Sequence, residues 1–192
     1  MTIRSALPHR VAGDLALDFA NTISWRGTPR ETDHLADGDA ILAWAKEMGL
    51  VEPGFAVPDG GKDALVRDAH RLRDAITAAA GAIALGTTSP APALATIRDL
   101  AARSLAAASL TGAPAQMEFT NTDRILGPLA WAALDLLRGG ELGRLKRCPS
   151  ADCHWLFVDR TKNGSRRWCD MATCGDRAKK RRHRSFQDDP RG

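Results

Sequence analysis

The sequence predicts a mainly α-helical body followed by a small α+β appendage. Three observations carry that prediction. Apolar residues recur at spacings of three and four through most of residues 37–137, as one face of successive helices requires. Gly139, Gly140 and Gly143 then interrupt the pattern, and the composition changes sharply beyond them. Residues 1–143 carry 13 Lys+Arg against 17 Asp+Glu, whereas residues 144–192 carry 14 against 6 and hold all four cysteines. The break predicts a helical domain over residues 1–140 and a second unit over 141–192.

The body's elements follow in order. Asp37 is a candidate cap for a helix ending at Gly49, with Ile41, Leu42, Ala45 and Met48 as its apolar positions. Lys62–Leu85 is the clearest helix, because Leu65, Ala69, Leu72, Ile76, Ala80 and Ile83 form one stripe while Arg67, Asp68, Arg71 and Asp74 lie largely off it. Asp59 is its candidate cap. The loop Thr87–Pro92 leads to a third helix over about 93–107. Residues 109–120 contain Gly112 and Pro114 and end in an alternating Gln116-Met117-Glu118-Phe119, which predicts one or two short strands. A fourth helix covers about 122–137, with Leu126, Leu129, Ala133 and Leu136 on one face and Pro128 near its first turns.

Composition excludes several classes. At 44% hydrophobic and 26% charged, the chain is that of a globular protein. The longest uncharged stretch, Ala75–Ile97, is mostly small residues and is broken by Pro90 and Pro92, whereas a spanning helix needs about 20 predominantly apolar residues. No export signal is read in residues 1–14, so a cytoplasmic location is expected, and there clustered cysteines serve more often as metal ligands than as disulfides.

The cysteines follow Cys148-x4-Cys153-x15-Cys169-x4-Cys174. Two equally spaced pairs suit four thiolates around one tetrahedral structural Zn²⁺. Four unrelated buried cysteines rarely fall into such pairs. A catalytic zinc needs an open position that four thiolates do not leave, and a redox switch with zinc release is the remaining alternative. Trp155–Val158 reads as a strand, Lys162-Asn163-Gly164 as a hairpin turn, and Ser165–Trp168 as the return. With a helix over Asp176–Phe186, the module is a treble-clef-like zinc finger, too small to fold without its metal.

Basic residues crowd this module: Arg166 and Arg167 before the third cysteine, and Arg177, Lys179, Lys180, Arg181, Arg182 and Arg184 after the fourth. On a helix, Arg177, Lys180, Arg181 and Arg184 share one face. An isolated charge run is often only a solvated terminus. Here a rigid zinc module orients it, which is the footprint expected for a phosphate backbone, with duplex DNA as the expected partner. RNA binding and protein interaction through the same structural zinc are the alternatives. No Gly-x-Ser-x-Gly, His-Glu-x-x-His or P-loop occurs, so no enzyme is expected.

The residues Arg147-Cys148, Cys153–Arg160, Arg166–Met171 and Cys174–Lys179 resemble the CGNR zinc finger. Leu15-Ala16-Leu17-Asp18-Phe19-Ala20-Asn21-Thr22, with a downstream Trp44, resembles the ABATE domain that precedes this finger. The resemblance covers both ends of the chain. It implies a bacterial, stress-related transcription regulator whose finger binds DNA and whose helical domain senses a ligand. One departure stands out: Asp176 replaces the Asn of the motif that names the finger. Asp keeps a capping role but loses the amide donors and adds negative charge near a phosphate-binding face.

In the body, Asp18, Asn21, Thr22, Trp25 and Arg26 form a polar and aromatic cluster with two readings, capping and helix–helix hydrogen bonding or a small-molecule effector pocket. A two-fold homodimer is the default expectation for a regulator whose single finger offers little contact area.

Overall fold

The computed structural model describes residues 10–58 and 60–187, the side chains of residues 184–187 excepted. The candidate cap Asp59 and the side chain of Arg184 therefore lie outside the described residues. Helix α1 (Leu15–Ala20) starts at Asp14, whose carboxylate accepts the amides of Ala16 and Leu17. A short ribbon follows, β1 (Ile23–Ser24) antiparallel to β2 (Thr32–Asp33), which the sequence pattern did not signal. Helix α2 (Gly38–Glu47) begins where Asp37 accepts the Ala40 amide at 2.8 Å. Helices α3 (Gly61–Ala84) and α4 (Ala91–Ala106) come next, the latter with Pro92 in its first turn, where a missing amide costs nothing. The alternating segment forms the hairpin β3 (Ser109–Thr111) and β4 (Gln116–Glu118), and α5 (Asp123–Arg138) closes the body.

The central helix is α3. It packs against α1, α2, α4 and α5, burying Leu65, Ala69, Leu72, Ile76, Ala79 and Ala80. Leu17, Phe19, Ile41, Ile97, Ile125 and Leu129 complete the core, each no more than 1% exposed. The stripe also contains Arg73, a cation at 2% exposure. Its guanidinium donates twice to Asp33, at 2.6 Å each, and once to Thr22 Oγ1 at 3.2 Å, so the buried charge has a partner.

After α5 the chain passes through a 3₁₀ turn (Leu142–Arg144) into β5 (Leu145–Arg147), antiparallel to β6 (Leu156–Val158). A π-type turn (Met171–Gly175) leads into α6 (Asp176–Gln187). The chain is thus a helical domain followed by a small zinc-finger unit. No helix among the described residues is long and apolar enough to cross a membrane.

One pairing differs from expectation. The strand at 156–158 pairs with 145–147 and not with 165–168. The turn at 161–164 does form, with Gly164 N–H donating to Thr161 O. However, the returning backbone bonds elsewhere. Asp159 accepts the amides of Thr161 and Arg166, and Lys146 Nζ donates to Gly164 O and Arg166 O. A buried carboxylate and one ammonium therefore take the place of a strand ladder.

Candidate metal centre and its junction with the helical body

The β5–β6 hairpin carries the first cysteine pair in its connecting loop. Cys148 N–H donates to Trp155 O at 2.8 Å, and Cys153 N–H to Ser150 O at 3.1 Å, which folds the six residues into a knuckle. The second pair comes from the segment entering α6: Cys169 just before the π-type turn and Cys174 within it. Asp170 caps that turn, accepting Ala172 N–H at 2.6 Å. The side chain of Asp176, at the start of α6, is exposed.

All four sulfurs lie within 4.8 Å of one another and all four cysteines are buried. The Cys153–Cys169 and Cys169–Cys174 separations are 3.5 and 3.6 Å. Thiolates about 2.3 Å from one tetrahedral ion lie about 3.8 Å apart, so the cluster has the dimensions of a zinc site. Without a metal the sulfurs conflict. Hydrogen bonds from the neighbouring thiols, and then from Arg177, push Cys174 far below the usual thiol range, while donation to those neighbours and burial push Cys153 and Cys169 up. A divalent cation replaces the protons and removes that conflict. With four thiolates there is no open position, so the ion is structural.

The residues Cys174-Gly175-Asp176-Arg177 each have a visible task except the exposed aspartate. A Cβ on Gly175 would sit 2.9 Å from Met171 Sδ and 3.4 Å from Trp168 Cδ1, so glycine lets the flexible, exposed Met171 side chain lie close against the turn. Arg177 Nη2 donates to Cys174 Sγ at 2.9 Å, offsetting the thiolate charge from outside the coordination shell. The same guanidinium lies 4.5 Å from the centroid of Trp25 and 3.8 Å from Asp152. Trp25 adopts a left-handed φ of 58° and also carries Arg30 over its ring at 4.0 Å.

Body and finger are joined by buried polar contacts. Asn21, 3% exposed, uses both amide atoms on one residue of β6: its Nδ2 donates to Leu156 O and its Oδ1 accepts Leu156 N–H, each at 2.9 Å. Trp155 Nε1 donates to Ile23 O at 2.9 Å, and Val158 N–H to Ala12 O at 2.9 Å. Arg166 is part of this junction. Its Nη2 donates to Val11 O at 2.6 Å and to Cys169 O, its Nε to Trp168 O at 3.1 Å, and it lies over Phe157 at 4.3 Å.

Two segments of the chain also match known families. The model of the ABATE family, described as "putative stress-induced transcription regulator", matches residues 13–140, and that of the CGNR zinc finger matches residues 144–185. The chain belongs to the ABATE family. Its CGNR zinc finger follows directly, and neither match is to an enzyme family. No curated protein matches the chain.

The candidate residues now divide. In the ABATE domain, Asp18 Oδ1 accepts Ala12 N–H at 3.0 Å, and Thr22 Oγ1 donates to Phe19 O at 2.7 Å while accepting from Arg73. Burial raises the Asp18 carboxyl above its ordinary value despite that amide. Asn21 and Arg26, but not Asp18, Thr22 or Trp25, border a cleft between the ABATE domain and the finger. In the CGNR finger, Arg166 and Arg177 turn inward, Arg166 onto Val11 O and Arg177 through Nη2 onto Cys174 Sγ, its Nε buried without a partner among the described residues, whereas Arg167, Lys179, Lys180 and Arg181 are exposed. Missed by the sequence reading were Arg73, Asp159 and Lys146. A lone charge in an apolar stripe signals Arg73, but its partner Asp33 is 40 residues away.

Proposed function

We propose that the protein is a zinc-dependent, duplex-DNA-binding regulator whose helical domain carries a small-molecule effector site. The observation that carries the DNA reading is the presentation of charge on the finger. Lys179, Lys180 and Arg181 are exposed along α6, whose first turn is held by Arg177 against Cys174 and Trp25. Arg167 extends the basic surface beside the third cysteine, lying 5.5 Å from the centroid of Trp168. Cations fixed to a metal-ordered scaffold meet phosphates without the ordering cost of a floppy tail. Arg166 and Arg177 take no phosphate in this reading; they hold the scaffold that aims the others. Asp176 sits at the edge of this surface and opposes the attraction.

The test is fluorescence anisotropy of zinc-loaded protein with duplex DNA over a salt series. Affinity falls steeply with salt, with a slope of about −0.9 for each phosphate neutralised. Reversing charge at Lys180 and Arg181 weakens binding to all sequences and flattens that slope by about 1 for each phosphate left without its cation. Unchanged affinity and slope in the Lys180→Glu/Arg181→Glu protein would refute the reading. Structured RNA at matched salt serves as competitor; a preference for it would move the assignment to RNA.

A further inference from the structure

We infer that the cleft between the helical domain and the zinc finger is a binding site for a small organic anion, a carboxylate attached to an apolar ring or chain. The inference names the chemistry of the proposed effector site and rests on that reading only for its regulatory consequence. Binding itself is measured without DNA.

The cleft has a volume of about 430 Å³, within the range of small-molecule sites and several times the size of a lone oxyanion. Its walls come from both units: Ala20, Ile23, Arg26 and Gly81 from the body, and Arg147 and Leu156 from the finger. Two arginines, Arg26 and Arg147, thus line one space, and no acidic residue is among its described lining. Arg26 approaches Asp74 only to 3.8 Å, through Nη1, and that carboxylate is 64% exposed. Its Nη2 is buried with no hydrogen-bond partner among the described residues. A buried cationic donor left unpaired is costly, and a carboxylate in the cleft that draws the Arg26 guanidinium toward it gives that donor a partner. The Arg147 guanidinium likewise makes no hydrogen bond or ion pair among the described residues, although its backbone pairs with Leu156 in the hairpin. The apolar remainder, Ala20, Ile23 and Leu156, suits a ring or chain.

The placement has a regulatory consequence. Cys153 and Trp155 also border the cleft, so an occupant touches the zinc knuckle and the body together. A ligand that bridges Arg26 and Arg147 adds a link between the units and biases the orientation in which α6 presents its charge.

Benzoate titrated into the full-length zinc-loaded protein is the probe, followed by calorimetry and by tryptophan fluorescence, since Trp155 borders the site. Benzamide is its uncharged isostere, and inorganic phosphate the anion without an apolar body. Saturable benzoate binding is expected at millimolar concentration or below, with benzamide and phosphate each at least about tenfold weaker. Arg147→Gln weakens benzoate by about tenfold or more, as does Arg26→Gln. Gly81→Leu fills the cleft: a Cβ at Gly81 meets nothing within 4 Å, and glycine inside a helix is the less stable choice. That variant keeps its zinc and helix content and loses benzoate. Absent saturation, equal binding of benzamide or phosphate, or full binding by both Arg147→Gln and Gly81→Leu would overturn the inference. Loss of DNA binding alone would leave these results standing and would sink only the regulatory reading.

Discussion

Asn21 offers the sharpest test of how the finger is held. Its side chain closes two 2.9 Å hydrogen bonds with the backbone of Leu156, and both residues are buried, at 3% exposure each. Asn21→Ala deletes both partners at once and leaves an amide and a carbonyl of β6 unpaired. Each buried orphan costs about 1–3 kcal/mol, and some relaxation is available at an interface, so a total of about 3 kcal/mol is expected. For a chain of this length that is a fall in Tm of about 6–12 °C. Asn21→Asp refines the test because it keeps the shape. Its carboxylate still accepts the Leu156 amide, but turns a second acceptor toward the Leu156 carbonyl. Protonation restores a donor there, so the deficit of Asn21→Asp shrinks as pH falls toward about 5, whereas that of Asn21→Ala does not follow it. Thermal denaturation by circular dichroism, with zinc content checked before each scan, reads both. A cost under about 0.5 kcal/mol for Asn21→Ala, the level of an ordinary surface change, would refute the buried-fastener reasoning. So would wild-type stability of Asn21→Asp at neutral pH.

Other variants probe other layers of the structure. Cys174→Ser or a strong chelator should remove the one zinc per chain, and because the ligands must be deprotonated, zinc occupancy should also fall as pH is lowered; metal analysis across pH reads this, and tight zinc in Cys174→Ser would contradict the four-thiolate site. Arg73→Met should cost about 3 kcal/mol by stranding Asp33, measured by urea denaturation. Burial raises the Asp33 carboxyl, but the hydrogen bonds and charge of Arg73 outweigh it and hold it below its ordinary value. The pair's contribution is therefore present above about pH 4 and lost as pH falls further, so the gap between wild type and Arg73→Met should close in acid. Gly127→Ala places a Cβ 2.5 Å from the Phe119 ring and should cost about 1–3 kcal/mol, with Phe119→Ala relieving most of it in the double variant.

Much of this architecture is written locally. The stripe Leu65, Ala69, Leu72 and Ile76 needs only a 3.6-residue period to be read, and it forms the buried face of α3. The cysteine spacing needs only the geometry of a tetrahedral ion, and the four sulfurs meet. What sequence could not yield depends on contacts far along the chain. Arg166 and Arg177 count as surface charge in any tally of a basic tail, yet one donates to Val11 O, 155 residues away, and the other stacks on Trp25. Nothing local separates them from Arg167 or Lys180. The misassigned strand partner has the same origin. Leu145-Lys146-Arg147 has one apolar residue in three and reads as basic linker, while the tertiary demands of Asp159 draw the 161–166 backbone away from β6.

These long-range contacts explain why so small a finger has a defined orientation. A metal fixes the geometry within the cysteine cluster but says nothing about how the cluster sits on its neighbour. That is set by directional bonds. Asn21 to Leu156, Trp155 to Ile23, Val158 to Ala12 and Arg166 to Val11 join β6 and its surroundings to the segment 11–23. That segment is itself locked: Asp18 receives the Ala12 amide, and Thr22 receives the buried Arg73 of α3. The two residues of the Leu15–Thr22 motif with the most buried polar side chains, Asn21 and Thr22, thus face opposite ways, one toward the finger and one toward the core helix. A shift of α3 relative to β6 cannot occur without stretching both sets of bonds, and packed interfaces resist continuous deformation. The cleft between Gly81 on α3 and Arg147 on β5 borders that same chain of contacts, with Asn21, Ile23, Trp155 and Leu156 among its walls.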